Sequence, residues 1–353
     1  MQHLVPLRRS TEAVNEEVKI TAMHGAGGAM MDRLLREHIL NEFSARSAGR
    51  IGLDALDDGA TITLPKDGEL VVTTDSHVVK PIFFPGGDIG RLAAAGTLND
   101  LAVMGARPLA LTLGLILEEG FPLADLERII RSIASALDEV GVPLIAGDTK
   151  VMGKGELDRI AINTTGIGVA AHAVSDSAIS PGDVVIVTGT IGDHGMALLA
   201  CREEFHLETK LESDVAPIWP LIERALAAGG IKAMKDPTRG GLAAVLNEMA
   251  GKANVTIEID EAKIPIRDEV RGIGSLLGIS PLTVANEGKA LIVVAPDRAD
   301  AVLRALRAHP LGRNAAIIGK VTDEYPGKVI LGTEVGGRRF LEMPLGDPVP
   351  RIC

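Results

Sequence analysis

The chain has very few aromatic residues and very few cysteines. Its 353 residues include one Trp, one Tyr, six Phe and two Cys. Two cysteines cannot build a disulfide framework, so a reduced, cytoplasmic setting is expected. With 46% hydrophobic residues and few aromatic rings, the core should be packed mainly from Ala, Leu, Ile and Val. The length exceeds what one ordinary core holds, and two domains are therefore predicted.

Positive charge and long apolar runs are also scarce. The formal net charge is −11, which argues against nucleic acid or an anionic membrane surface as the main partner. No apolar run reaches the roughly 18 residues that a membrane helix requires. Residues 1–17 carry some basic charge but no apolar segment. We expect a loose N-terminal extension there, and no secretory signal.

Strand-like and helix-like segments alternate along the chain. In the first half they predict a βαβ-rich α+β domain with elements at 69–76, 88–105, 109–119, 122–141 and 158–172. The polar segment 175–183 contains Pro and Gly and predicts a domain boundary. The second half predicts another α/β layer structure. The expected divisions are an extension at 1–17, domains at 18–174 and 175–340, and a tail at 341–353.

Acidic residues recur at the ends of predicted elements, where turns and helix caps are their ordinary roles. Those of the first half are Asp57, Asp58, Asp75, Asp88 and Asp148. Asp100 differs because it falls inside an apolar helix, GTLNDLAVMGA, where an unpaired carboxylate is costly to bury. Carboxylates gathered at one cleft repel each other and repel phosphate. A hard divalent cation resolves that conflict by bridging both, which suggests Mg²⁺ with a nucleotide.

Three glycine-rich turns offer backbone amides to a phosphate. They are HGAGG (24–28), GTIGDHG (189–195) and DPTRGG (236–241). None is a Walker A loop, because GxxxxGK[ST] does not occur in the sequence. For Asp236-Pro237 a helix cap followed by Pro at the first helical position is an equal alternative.

Four further side chains are candidates for chemistry. Lys150 follows Asp148-Thr149 directly and could hold a phosphate or a developing negative charge. Glu287, in VANEGKALIVV, precedes a strand, and a solvated turn is its alternative role. The eight His show no metal-ligand spacing, and His77 and His194 stand out only because each lies beside an acidic loop.

The last ten residues, PLGDPVPRIC, offer little to a core. Pro344, Pro348 and Pro350 predict an extended, semi-rigid arm with a reach on the order of 30 Å. Cys353 stands at its tip. A frayed terminus is the ordinary alternative, and a tethered substrate is the other. Cys201 falls in an apolar helical stretch, ALLACREEF, and is expected to be packed.

Several motifs together resemble the HypE family of hydrogenase maturation proteins. They are TTDSHVVKPIFFPGGDIGRLAAAGTLNDLAVMGARP, GDTKV, NTTGIG, GDHG, KDPTRGGLAAVLNEMA, NEGK and the terminal PRIC. The resemblance runs in order from about residue 18 to the end and departs in the N-terminal extension and in the loop GKGELD (153–158). The family is similar in turn to aminoimidazole ribonucleotide synthetase, selenophosphate synthetase and thiamine phosphate kinase.

The resemblance implies a two-domain PurM-like fold that binds ATP with Mg²⁺ between its domains. The N-terminal domain should carry a mixed sheet that pairs across a homodimer, followed by an α/β domain and a flexible tail. Carried over motif by motif, the metal-binding carboxylates fall on Asp58, Asp75, Asp100, Asp148 and Asp236. The implied nucleotide contacts fall on Gly25, Gly27, Gly28, Asp88, Asn99, Asp148, Thr149, Asp236 and Arg239.

The implied activity begins with a carbamoyl group that a HypF-type carbamoyltransferase places on Cys353. ATP then drives dehydration of this thiocarboxamide to a thiocyanate, and the cyano group passes to iron on a HypC–HypD scaffold during [NiFe] hydrogenase maturation. Lys150 is expected to absorb negative charge, and Glu287 to act as the base with His77 in reserve. The alternatives are another ATP-dependent synthetase or kinase of the superfamily, which makes no use of a terminal Cys, and a nucleotide-binding assembly scaffold.

Overall fold

Two large sheets, one in each half of the chain, organise the computed structural model. The structure describes residues 18–21, 24, 30, 33–55, 59–202 and 207–346. Five predicted site residues lie outside this part of the chain, namely Gly25, Gly27, Gly28, Asp58 and Cys353.

The first half builds a four-stranded mixed sheet. Short helical turns at Leu35–Ile39, Leu40–Glu42 and Leu53–Ala55 precede it. The elements that follow are β1 (Glu69–His77), β2 (Phe83–Phe84), β3 (Gly87–Asp88), α1 (Ile89–Val103), β4 (Arg107–Glu118), α2 (Leu123–Asp138), β5 (Leu144–Met152) and β6 (Ile160–Ala170). The strand order is β1-β6-β4-β5, with β4 and β5 parallel and the other pairs antiparallel, while β2 and β3 pair separately.

The two faces of this sheet differ in burial. Alternate residues such as Leu111, Leu113 and Leu115 of β4 are buried, as strand geometry requires when one face meets helices. We call the other side of the sheet the open face. Leu70 and Val72 of β1 lie on it and are 52% and 60% exposed.

The second half builds a seven-stranded sheet. Its elements are β7 (Val184–Val187), α3 (Asp193–Cys201), α4 (Trp219–Ala228), β8 (Ile231–Lys235), α5 (Gly241–Ala253), β9 (Thr256–Asp260), α6 (Asp268–Leu277), β10 (Leu291–Val294), α7 (Ala299–Arg307), β11 (Ala316–Thr322), β12 (Lys328–Gly332) and β13 (Arg338–Phe340). The strand order is β13-β12-β9-β11-β7-β10-β8, and only β9 and β12 pair in parallel.

The predicted α+β and α/β arrangement agrees with these two sheets, and the predicted boundary 175–183 falls between β6 and β7. The sequence patterns did not reveal α6, β8 or β13. Gly272 and Gly274 lower the helix propensity of α6, and β13 has three residues, too few for a visible alternation. Within the described ranges, no helix combines the length and apolarity needed to span a bilayer.

Helix α1 lies between the two halves. It packs on β1, β4, β6 and α2 of the first half and also contacts α4 and β8 of the second. Thirteen of its 15 residues are buried, because it meets neighbours on nearly every side. Side chains on α1 can therefore meet groups from both halves.

The root of the C-terminal arm is fixed at Leu341. Its N–H donates to the Val329 carbonyl at 3.0 Å, and its own carbonyl accepts from Asn247 Nδ2 at 2.9 Å. The side chain is 6% exposed. The predicted tail was placed from residue 341 onward, but this residue is anchored in the second half. The arm therefore starts after Leu341.

Candidate functional site

Asp75 and His77 form a pair on the helix-facing side of β1. His77 Nε2 lies 3.1 Å from Asp75 Oδ2. Gly96 of α1 makes room for the ring, since a Cβ at that position would lie 2.9 Å from His77 Nε2. Burial would raise the pKa of Asp75, but the hydrogen bond and charge of His77 outweigh it and the pKa is lowered.

His77 does not suit the reserve-base role that the sequence suggested. The residue is 1% exposed, and its Nδ1 has no hydrogen-bond partner among the described residues. Its Nε2 already contacts Asp75, and this contact favours an orienting role over proton transfer with a substrate. The structure instead makes His77 a residue that orients the Asp75 carboxylate.

Asp100 lies on α1 and faces β1. The hydroxyl of Thr73 donates to Asp100 Oδ2 at 2.7 Å, so a hydroxyl supplies the partner that the buried position required. Burial raises the pKa of Asp100 and the nearby charge of Asp75 raises it further, although the Thr73 hydrogen bond opposes this. The carboxyl therefore lies in a site that has an excess of negative charge.

Asp236 and Glu287 bring two more carboxyl groups from the second half. Burial and then the charge of Asp100 raise the pKa of Asp236 to about 7. Glu287 is 3% exposed, and burial followed by the charge of Asp236 holds its pKa well above the ordinary value. These electrostatic effects place Asp75, Asp100, Asp236 and Glu287 together, and we call them the acidic cluster. Glu287 Oε1 has no hydrogen-bond partner within the described part of the chain.

The backbone of Glu287 is held by a buried ion pair. Asp214 accepts from the N–H of Glu287 at 3.1 Å and from the N–H of Gly288 at 3.3 Å. Lys289 Nζ lies 3.4 Å from the same carboxylate, and these two side chains are 9% and 1% exposed. Asn286 adds a bond from its N–H to the Pro237 carbonyl at 3.0 Å, which links Glu287 to the loop of Asp236.

Asn99 connects α1 to the backbone beside the acidic cluster. Its Nδ2 donates to the carbonyls of Ala216 and Glu287 at 3.1 and 3.0 Å, and its Oδ1 accepts from the Ile218 N–H at 2.8 Å. The residue is 2% exposed. A buried amide whose two ends both bind backbone groups is not available to a nucleotide. The contact predicted for Asn99 is therefore corrected to the positioning of Glu287.

Asp88 also takes a structural role instead of the predicted nucleotide contact. It is the N-cap of α1, where its carboxylate accepts from the N–H groups of Gly90 and Arg91 at 2.8 and 3.0 Å. Asp100 lies twelve residues further on, about 18 Å along the helix axis. The capping group is therefore at the other end of α1 from the acidic cluster.

Asp148, Thr149 and Lys150 lie apart from the acidic cluster within one copy of the chain. The register of the paired strands aligns Asp148 with Ser76. Ser76 directly follows Asp75 on β1, and its side chain points to the open face. Asp148 and Lys150 are 3.6 Å apart and both 69% exposed, whereas Thr149 is buried on the other face. Strands β5 and β1 are opposite edges of the sheet, about 14 Å apart. Asp148 and Lys150 therefore do not reach Asp75 within one chain, although the sequence analysis expected these residues at one cleft.

Arg239, the last of the predicted nucleotide contacts, lies near enough to the acidic cluster to affect it. It is exposed in the loop before α5, and its charge helps to lower the pKa of Asp75. Among the residues that the structure describes, no group of three or more His, Cys, Asp or Glu side chains has the arrangement of a metal site. The acidic cluster thus supplies oxygen donors of the kind that Mg²⁺ prefers, without a preformed set of ligands.

Four supporting residues were missed at the sequence level, namely Thr73, Asp214, Asn286 and Lys289. Thr73 could have been found, because strand alternation puts it on the same face as Asp75. Asn286 precedes Glu287 in NEGK, and Lys289 follows it after one glycine. The sequence motif contains both residues but does not indicate a separate role for either. No sequence pattern indicates a role for Asp214, because it lies in the irregular segment before α4.

The raised pKa of Asp236 predicts a pH-dependent stability. The native pKa of about 7 exceeds the ordinary 3.8, so this carboxyl favours the folded state at low pH and loses that contribution as pH rises through 7. In nucleotide- and metal-free protein, Asp236→Asn should therefore be more stable above pH 7 by about 2 kcal/mol, allowing for partial solvent access. The difference should shrink toward pH 4.

Urea unfolding across this pH range measures the effect. Asp297→Asn is the matched control, because the Asp297 side chain is 77% exposed. A constant difference between Asp236→Asn and the parent chain at all pH values would contradict the proposed electrostatic environment.

Comparisons with known proteins agree with this geometry. The N-terminal domain of AIR synthase related proteins matches residues 56–170, and the C-terminal domain of those proteins matches residues 180–332. A thiamine monophosphate kinase of Aquifex aeolicus has a TM-score of 0.59 at 20% identity, covering 78% of this chain and 91% of its own, a likeness of fold alone.

More similar relatives are hydrogenase maturation proteins. One from Methanocaldococcus jannaschii, named for hydrogenase expression and formation, is 56% identical over 340 residues, 95% of this chain and 100% of its own. The carbamoyl dehydratase HypE of Rhizobium leguminosarum bv. viciae is 46% identical over 350 residues, 98% of each chain.

Solved HypE structures agree closely as well. HypE in complex with ATP superposes with a TM-score of 0.89 at 41% identity, covering 94% of this chain and 99% of that one. A HypE–HypF complex gives a TM-score of 0.76 at 44% identity, covering 90% and 100%. With this fold, this acidic cluster and relatives that match over nearly the whole length, the chain belongs to the HypE family of hydrogenase maturation proteins, the carbamoyl dehydratases.

Proposed function

We propose that the chain uses ATP to dehydrate a carbamoyl group on the thiol of its own Cys353, giving a thiocyanate that supplies cyanide to a hydrogenase iron centre. The observation that carries the proposal is Glu287, a buried carboxyl with a strongly raised pKa that lies beside three further carboxyl groups. Its Oε1 finds no hydrogen-bond partner among the residues that the structure describes. Such a group is suited to taking a proton in a site closed to water.

ATP is the proposed co-substrate, and the HypE structure with bound ATP supports it. The residues that would hold Mg²⁺ in this part of the chain are Asp75, Asp100 and Asp236. Their oxygens suit a hard cation, and the raised pKa values of Asp100 and Asp236 mark a site that lacks positive charge. When bound, the cation would neutralise phosphate charge against the carboxylates. Arg239 lies beside Asp75 and is placed to meet a phosphate oxygen.

The chemistry divides into two steps. In the first, the carbamoyl oxygen bonds to the γ-phosphorus, the bond from that phosphorus to the ADP oxygen breaks, and the nitrogen loses one proton. In the second, the nitrogen loses its other proton, the carbon–oxygen bond breaks, and inorganic phosphate leaves. The products are S–C≡N, ADP and phosphate. Phosphorylation is needed because an unmodified carbamoyl oxygen is a poor leaving group.

Glu287 is the proposed base for the first nitrogen proton, and the departing phosphate takes up the second. The high pKa of Glu287 makes the ionised form a strong base, and phosphorylation of the oxygen makes the N–H groups more acidic. The hydrogen bonds from Asn99 to the Glu287 carbonyl and from the Glu287 N–H to Asp214 would keep the carboxyl in place during transfer. Exclusion of water also protects the thiocyanate from side reactions.

Two partners are proposed on either side of this reaction. A HypF-type carbamoyltransferase would load Cys353, and the existence of a HypE–HypF complex supports that partner. A HypC–HypD complex would accept the cyano group. The arm that begins after Leu341 would then have to present Cys353 inward for dehydration and outward for loading and delivery.

We also propose a homodimer formed through the open face of the first sheet. Pairing two copies there would bury Leu70 and Val72, and it would carry the exposed Asp148 and Lys150 to the neighbouring copy. Their predicted roles toward phosphate and metal would then be exercised across the dimer. Apolar side chains on an uncovered sheet face support this arrangement.

The dimer proposal has a direct test in sedimentation analysis. Val72→Glu should raise the dimer dissociation constant by about a hundredfold, since an unpaired charge would be buried at the interface. Val335→Glu is the control, because Val335 is 95% exposed and lies away from this sheet. Equal dimerisation of the two variants would contradict the assigned interface.

Intact-protein mass spectrometry tests the proposed activity itself. Incubation with a HypF-type carbamoyltransferase and carbamoyl phosphate should add one carbamoyl group to the chain. Addition of ATP and Mg²⁺ should then remove one water from that adduct. A carbamoylated chain that keeps its mass in the presence of ATP would contradict the proposal.

A further inference from the structure

The described root of the C-terminal arm runs along α5. Asn247 lies in the middle of this helix, and its amide donates to two carbonyls, that of Ala243 at 2.8 Å and that of Leu341 at 2.9 Å. The bond to Ala243 fixes the amide on the helix, so the second bond fixes the arm. Leu341 is the last buried residue of the described part of the chain and directly precedes the arm.

Three residues later the arm has reached the first turn of α5. A Cβ at Gly240 would lie 3.8 Å from Pro344 Cγ. Seven residues separate Gly240 from Asn247, about 10 Å of helix, and three extended residues span about the same distance. The segment 341–344 is therefore almost fully extended and runs antiparallel to α5.

The direction of this segment leads toward the acidic cluster. Asp236 lies four residues before Gly240, and the Pro237 carbonyl is bonded to Asn286, the neighbour of Glu287. Nine residues separate Pro344 from Cys353, a reach of up to about 30 Å. If the arm left Leu341 in another direction, much of this reach would be needed to return to the cleft.

We propose that Asn247 is a positioning residue that directs the C-terminal arm along α5 to the loop 236–240. The inference rests on the proposed function in that it gives the arm the task of bringing Cys353 to the cleft. The side chain acts on the arm backbone, so it acts regardless of what the thiol carries. Loss of the amide should leave the cleft itself unchanged.

Disulfide trapping tests the direction of the arm without any catalytic turnover. In a Cys201→Ala background, Thr238→Cys places a thiol on the loop 236–240, and copper(II)–phenanthroline oxidises it with Cys353 to an intrachain disulfide. Asn247→Leu should slow this trapping about fivefold, the effect of one neutral hydrogen bond. Asn247→Gln, which keeps the amide, should restore most of the rate. Asn314→Leu, at an exposed position of the second half, is the matched control.

Equal trapping rates in Asn247→Leu and Asn314→Leu would overturn the inference, and so would the absence of an intrachain disulfide in the Cys201→Ala, Thr238→Cys chain that retains Asn247. If Asn247→Leu does not fold, Asn247→Asp keeps the size and removes the donor. In chains that retain Thr238, ATP affinity should be the same for Asn247→Leu, Asn247→Gln and Asn314→Leu. Trapping that depends on Asn247, together with a carbamoylated chain without Thr238→Cys that never loses water with ATP, would refute the proposed function while upholding this inference.

Discussion

Cys353→Ala should abolish carbamoylation of the chain completely while leaving ATP binding unchanged. The substitution removes the proposed acceptor thiol, and none of the residues of the acidic cluster is altered. Intact-protein mass spectrometry after incubation with the carbamoyltransferase and carbamoyl phosphate should show no added mass. Nucleotide titration of the same sample should give the affinity of the parent chain, because the cleft does not depend on the thiol.

Cys201→Ala is the matched control for this experiment. Cys201 ends α3, is partly buried, and its Sγ donates to the Leu198 carbonyl at 3.3 Å. Burial also raises the pKa of this thiol, which lowers its fraction of reactive thiolate. The control variant should load and dehydrate normally. A carbamoyl adduct that persists in Cys353→Ala, or disappears in Cys201→Ala, would refute the assignment of the carrier.

Glu287→Gln should slow ATP-dependent loss of water by about 10²- to 10⁴-fold, the usual contribution of a general base. Gln preserves the size of the side chain and cannot accept the proton. The substitution also removes one of four mutually repelling carboxyl groups, so the fold should be retained. Loading of Cys353 takes place on the carbamoyltransferase, and the carbamoylated chain should therefore accumulate.

The rate is measured by mass spectrometry of preloaded protein after addition of ATP. Glu212→Gln is the control, since Glu212 is exposed and lies two residues from Asp214. Thermal unfolding separates a chemical effect from loss of structure. Water loss at the parent rate in Glu287→Gln would remove Glu287 from the mechanism.

Local patterns predicted the α+β and α/β layers, whereas Asp75 and Asp236 were assigned to a metal site only through the motifs that resemble the HypE family. Asp100 was recognised from a charge inside an apolar helix, and Glu287 from its place before a strand. What the sequence did not reveal was the position of each carboxyl group relative to the others. The cluster depends on α1 meeting β8 and on the turn before β10, which are long-range contacts.

Two separations that the structure shows have the same physical cause, that of Asn99 from Asp100 and that of Thr149 from Asp148 and Lys150. Adjacent residues were treated as one site, but side chains next to each other point in different directions. On α1 consecutive residues are about 100° apart, so Asn99 faces backbone carbonyls while Asp100 faces Thr73. On β5 successive side chains alternate between faces, and Asp148 and Lys150 accordingly lie opposite the buried Thr149. Strand alternation is a local rule, so the sequence of β5 alone was enough to predict this second separation.

The hydrogen bonds of Asn99 have a consequence for the precision of the site. Asp100 belongs to the first half of the chain, and Asn99 holds the backbone of Glu287 from the second half. An axial shift of α1 therefore displaces the Asp100 carboxylate and the backbone of the proposed base in the same direction. The position of Asp100 relative to the backbone of Glu287 is therefore constrained by the neighbouring residue on the same helix, in addition to the packing of the two halves.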